Sequence, residues 1–253
     1  MLNYKKFKDF LKTIRKPLFS ISEFVSAKRL QKRLLHPEDL DSFIVDPRLI
    51  TSCIRRGAKK RFFISAGDWD INDVGLISEL RPVIFSTVHA MFTHGVHYKN
   101  TEQYVEMIKT INSSPAGEVR TSPSFGAYWC KSQEDIDEYF RKLIRAYESI
   151  KRDGYRSQAQ IAEDRPEDSR NLSDEILVFI GRNGDLILGN GGTHRVIMAQ
   201  SLGLEKVHVR ISGIHEGFLG DIPGWKGSVR NELATKVVAM GFMYPAGIIG
   251  KSH

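Results

Sequence analysis

The stretch Gly184-Asp185-Leu186-Ile187-Leu188-Gly189-Asn190-Gly191-Gly192-Thr193-His194-Arg195-Val196-Ile197-Met198-Ala199-Gln200-Ser201-Leu202-Gly203 passes from a short apolar run, through a glycine-rich turn, into a segment of helical spacing. Leu186, Ile187 and Leu188 read as a strand. The upstream run Glu175-Ile176-Leu177-Val178-Phe179-Ile180 reads as its partner, because β-branched and aromatic side chains suit a pleated surface. Between them Arg182-Asn183-Gly184-Asp185 carries the Asn-Gly signal of a two-residue hairpin. Downstream, Thr193 is placed to cap a helix bearing Val196, Ile197, Met198 and Leu202, Gly203 to end it, and residues 207–211 to form another strand. Gly189, Gly191 and Gly192 let backbone amides approach a ligand, and the helix behind them aims its first-turn N–H groups and positive dipole end at the same spot. Strand, loop, helix, strand is the order of a phosphate site. Arg195 adds a bidentate donor, and His194 a group that donates to an oxyanion or moves a proton near neutral pH.

Working outward, Ser132 with Asp135 three residues on forms a capping signal for a helix whose core stripe is Ile136, Tyr139, Phe140, Leu143, Ile144, Tyr147 and Ile150, stopped at Gly154. Residues 82–91 and 101–111 read as two further helices, and residues 117–128 and 158–173 as surface loops. Arg61-Phe62-Phe63-Ile64-Ser65 reads as a strand leading into the polar break Ala66-Gly67-Asp68-Trp69-Asp70. The end of the chain, from residue 214 and including His215, Trp225 and Tyr244, reads as a cap on the domain. The expected organisation is a basic helical arm over residues 1–35, a helical subdomain with the upstream strand and Asp-x-Asp turn over 36–135, and a core with its cap over 136–253.

The chain's 253 residues, 41% hydrophobic, support a sizeable core without staples. Cys53 and Cys130 stand far apart, which supports neither a disulfide framework nor a zinc knuckle, so a reducing, cytoplasmic setting is expected. The formal charge is +7, yet residues 1–35 hold ten Lys or Arg against Asp9 and Glu23, a local +8 that leaves about −1 for the rest. A protein that grips a nucleic-acid backbone usually spreads basic surface over its folded domain. Here Tyr4, Phe7, Phe10, Leu11 and Ile14 alternate with lysines at amphipathic spacing, as do the apolar positions of residues 21–35. Packing of the arm on its own domain is the first reading. Attachment to an anionic surface at the inner face of the membrane is the second, and nucleic acid ranks last.

Tyr147-Glu148-Ser149-Ile150-Lys151-Arg152-Asp153-Gly154 is similar to the helix of ParB-like domains that ends in Ser-Ile-Lys and a glycine. Residues 184–204 resemble that family's glycine loop with its His-Arg pair and following helix, and Val207-His208-Val209 its closing strand. Over residues 139–211 the chain thus resembles the ParB/sulfiredoxin-like superfamily. The resemblance implies an α/β (α+β) nucleotide-binding core with an N-terminal helical extension, and a nucleotide site at Gly189, Asn190, Gly191, Gly192, Thr193, His194 and Arg195. Thr193 stands where sulfiredoxins need their cysteine, so sulfinic-acid repair is excluded for lack of a thiolate. Thr-His-Arg replaces the arginine-rich loop of the partition proteins, and no helix-turn-helix pattern follows residue 211.

A kinase-like site also needs a carboxylate to take a hydroxyl proton and another to hold magnesium. Asp68 and Asp70, whose side chains an extended segment would turn to one face, are the first candidates for both roles, with Glu175 behind them and His194 in the loop. The expected reaction is phosphoryl transfer from ATP or another nucleoside triphosphate, with Mg, to a hydroxyl-bearing small molecule or glycan. The alternatives are a nucleotide-switched, ParB-like DNA-binding adaptor and a metal-dependent nuclease. His89, His94 and His97 fit no ligand spacing and read as structural.

Overall fold

A computed structural model describes residues 43–55, 64–114, 129–164 and 175–219, all within one compact unit, Pro37–His253. The arm, the loop expected at 117–128, Arg61 to Phe63 and the chain beyond 219 lie outside the described residues. The class is α/β with a mixed sheet. Its strands are β1 (Phe43–Val45), β2 (Ser52–Ile54), β3 (Ile64–Ser65), β4 (Val74–Leu76), β5 (Ile176–Ile180), β6 (Leu186–Leu188) and β7 (Val207–His215). The order is β1-β7-β5-β6-β2-β4, with β3 pairing the far half of β7. The described helices are α1 (Trp69–Asn72), α2 (Ile77–Leu80), α3 (Pro82–Phe92), α4 (Glu102–Ser113), α5 (Gln133–Asp153), α6 (Gln158–Asp164), α7 (Thr193–Ser201) and α8 (Glu216–Leu219).

β5 is central because it is apolar on both faces. Ile176, Val178 and Ile180 are fully buried, and it runs antiparallel to β6 but parallel to β7. Each such side chain contributes roughly 1.5–3 kcal/mol on burial. Ile84 and Val88 of α3, Tyr147 and Ile150 of α5, and Val196 to Ala199 of α7 join the sheet in one core. A second cluster, Met91, Tyr104, Met107, Cys130, Ile136, Tyr139 and Phe140, fastens α3, α4 and α5 together. α5 begins as its sequence predicts: Ser132 and Asp135 form a reciprocal capping box, and Gly154 ends the helix.

Several local expectations change. The boundary at residue 135 falls inside α5, and β1 and β2 from the first half pair with β7 and β6 from the second, so residues 37–253 form one unit. The hairpin is not of the two-residue type, which would put the first or both central residues at positive φ, whereas neither Arg182 nor Asn183 has one. Instead Gly184 N–H bonds Gly181 O around Arg182 and Asn183, and Gly184 alone takes a positive φ of 90° before Gly181 N–H returns to Asp185 O. Residues 158–164 are helix rather than loop. Gln160 N–H donates to Ser157 Oγ while Ser157 N–H donates to Gln160 Oε1, a second capping box that starts α6. β7 continues to His215, which therefore belongs to the sheet and not to a terminal cap. Among the described residues, no helix is long and apolar enough to cross a membrane.

Candidate phosphate-binding site

From β6 the chain crosses the start of β5. Gly189 N–H donates to Leu177 O at 2.7 Å, and Leu177 N–H reaches Gly191 O at 3.4 Å. The crossing is close. A Cβ on Gly192 would lie 2.6 Å from Ile176 Cα, and Gly192 has φ +86°, so glycine is required there by packing and by backbone conformation together. Gly192, not Thr193, is the N-cap of α7, and Thr193 is its first helical residue. The first helical bond runs from Val196 N–H to Gly192 O, leaving the turn of Thr193, His194 and Arg195 as the helix's N-terminal end. Asn190 is exposed, and the residues from Gly191 to Arg195 are half-buried.

Two side-chain groups meet this turn. His194 Nε2 lies 2.8 Å from Tyr139 Oη of α5, and Gln103 Nε2 of α4 donates to the same hydroxyl at 3.1 Å. Tyr139 is buried among helices, so this bond joins the loop to the helical layer. On the other side, Glu175 is only 7% exposed and accepts from Gln158 N–H and from Tyr155 Oη at 3.4 Å. Burial pushes the Glu175 carboxyl above the usual range, against the lowering effects of the Gln158 amide and the Arg195 charge. Burial likewise raises the Tyr155 phenol, which stacks on His208 with ring centroids 6.3 Å apart. Arg195 Nη1 is buried and has no hydrogen-bond partner among the described residues.

Asp68 and Asp70 lie elsewhere. Trp69 to Asn72 is a helical turn with Asp68 at its N-cap, so the segment is not extended. Both carboxylates converge on Arg182: Nη2 donates to Asp68 Oδ1 at 2.8 Å and to Asp70 Oδ1 at 2.7 Å, and Arg182 N–H donates to Asp70 Oδ2 at 2.7 Å. The Asp70 side chain is 4% exposed. Burial pushes its carboxyl up, but the hydrogen bonds and charge of Arg182 hold it below the usual range. Gly217 N–H donates to His215 Nδ1 at 2.9 Å, so the Nε2–H tautomer serves the 2.7 Å contact with Gly67 O. Trp69 closes the cluster against Phe179 and His215.

This cluster sits beyond Ile180 at the end of β5, whereas the glycine loop and Glu175 sit at its beginning. The five residues of β5 separate them by on the order of 17 Å. One reaction centre cannot contain both. Set against protein-family models, curated proteins and solved structures, the chain matches none.

Magnesium does not fit at Asp68 and Asp70, because Arg182 already neutralises and hydrogen-bonds both. Among the described residues no group of three or more His, Cys, Asp and Glu can hold a metal ion. His97 accepts from Lys99 N–H, and His89 packs on Phe85. Sequence reading missed Tyr139 and Tyr155, which look like core positions of a helix and its exit. It also missed Arg182, which reads as a hairpin residue. Only tertiary pairing gives these three their roles.

Proposed function

We propose that the chain is a nucleotide-dependent phosphotransferase with a ParB/sulfiredoxin-like core. Its donor is ATP or another nucleoside triphosphate, and its acceptor a small hydroxyl-bearing molecule or glycan. The observation that carries this reading is Arg195 Nη1, buried and without a partner among the described residues, in the first turn of a helix entered through Gly192. A buried guanidinium nitrogen is costly unless something accepts from it, and phosphate oxygen is a matching acceptor. The first-turn amides and dipole of α7 favour the same anion. The sequence of hairpin, glycine crossing, helix and returning strand supports the superfamily reading.

In this proposal Arg195 neutralises the transferred phosphoryl group, and His194, oriented by Tyr139, takes the hydroxyl proton. The Glu175 charge and a side-chain hydrogen bond with Tyr155 steady the rest of the Arg195 guanidinium. Asp68 and Asp70 have no catalytic role and no magnesium is assigned to them. The test is a thermal-shift series with ATP, ADP, CTP and GTP, with and without magnesium, on parent and Arg195→Gln protein. A nucleotide at 100 times its Kd stabilises the folded state by about 2.7 kcal/mol. The parent midpoint should rise, and the variant should lose most of the rise. Equal shifts in both proteins would remove the loop assignment, and duplex DNA binding without phosphate release would favour an adaptor.

A further inference from the structure

We infer that Trp129 is the stacking platform for the nucleobase of the nucleotide whose phosphates bind at the α7 turn, an inference that rests on the preceding reading of the loop. Trp129 is 42% exposed, although the adjoining Cys130 is fully buried. Exposed indole is unusual because the ring loses much of its favourable burial. Tyr139 and Lys142, three residues apart and so on one face of α5, hold it in place. The Tyr139 ring meets it edge-on at 6.4 Å, and Lys142 Nζ lies over one face of the indole, 5.4 Å from the ring centroid. Tyr139 in turn meets the His194 ring at 6.0 Å, edge to face.

The two ring contacts keep the indole within about 12 Å of the His194 imidazole. A nucleoside triphosphate anchored by its phosphates at the first turn of α7 is long enough to bring its base there. Of the other exposed large hydrophobic residues among those described, Leu49, Ile71, Leu76 and Val105 are aliphatic, so among the described residues Trp129 is the one that offers a π face. A base supplies the matching π face for the side of the indole that Lys142 does not cover. Purines, with the larger face, are preferred.

The experiment compares ATP with inorganic tripolyphosphate, which carries phosphates and no base, by calorimetry on the full chain. Trp129→Ala should weaken ATP by roughly 5- to 150-fold, the range of one base–aromatic stack. Tripolyphosphate should change by less than about twofold, as for a surface substitution remote from its contacts. Trp129→Phe should recover part of the ATP affinity. Unchanged ATP affinity in Trp129→Ala, or equal loss of both ligands, overturns the stacking role. If the parent binds tripolyphosphate and Arg195→Gln abolishes it, that failure touches Trp129 alone. If the parent binds neither ligand, the loop reading itself falls, and the stacking role with it.

Discussion

Asp70 and Arg182, 112 residues apart in the chain, are joined by the Arg182 amide at 2.7 Å and by its guanidinium at 2.7 Å, with the Asp70 side chain 4% exposed. The pair ties the turn after β3 to the β5–β6 hairpin. It accounts for an Asp-x-Asp sequence that otherwise suggests metal or acid–base chemistry.

Arg182→Ala leaves the Asp70 carboxylate, whose side chain is 4% exposed, without its cation, so it should destabilise the fold in a denaturant titration. Asp68→Asn, at a carboxylate 65% exposed, should change stability by less than about 0.5 kcal/mol. Because the folded pKa of Asp70 is depressed, its stabilisation is present above the ordinary value of about 3.9 and is lost as pH falls through the folded value. Arg182→Ala should therefore move the acid-unfolding midpoint upward. Neither variant should alter nucleotide affinity per folded molecule, since the cluster lies at the other end of β5.

Gly192→Ala should cost about 3 kcal/mol, combining a left-handed backbone with a Cβ 2.6 Å from Ile176 Cα. Gly203→Ala is the control. It has φ +65° with nothing within 4 Å, so only the backbone cost of about 1–2 kcal/mol remains. Equal losses in urea titrations would remove the steric account of the loop.

Glu175 titrates in the opposite sense to Asp70. Its folded pKa is raised by burial, so the native state holds this proton more tightly than the unfolded chain. The contribution is fully present below the ordinary value of about 4.3 and is lost as pH rises through the folded value. Glu175→Gln should flatten the stability profile between that value and neutral pH. An unchanged slope would show that the carboxylate is solvated in the native state.

Tyr139→Phe removes the hydroxyl that orients His194 while keeping the ring in its cluster. With one hydrogen bond lost, about 1 kcal/mol, turnover should fall about fivefold in kcat while ATP affinity holds. The imidazole nitrogen signals of His194 should shift in NMR spectra. Loss of affinity without loss of kcat would make Tyr139 a binding residue instead.

The basic arm invites a separate test. Each Lys or Arg near an anionic membrane contributes roughly 1 kcal/mol, so the ten in residues 1–35 can support reversible attachment. The full chain should sediment with vesicles containing anionic lipid but not with neutral ones, and salt should release it. Replacement of Lys5, Lys6, Lys8 and Lys12 by Gln should weaken sedimentation, and an unchanged result would leave the arm without a membrane role.

Elements set by near-neighbour chemistry were legible in the sequence: the Ser132 box and core stripe of α5, the β-branched run of β5, and the glycine passage into α7. Each depends on periodicity or a cap within a few residues, and so did the Ser157 and Gln160 box that was legible but read as loop. What distance along the chain conceals is which side chains meet. Tyr139 reaches His194 across 55 residues, and Arg182 reaches Asp70 across 112. No local pattern encodes such pairs, because they follow from strand order. β5 lies between β6 and β7, which brings Glu175 to the loop and carries Asp68 and Asp70 to the far end of the sheet. Residue type alone made those two acids plausible catalysts; the opposite ends of one strand decide that they serve a clamp.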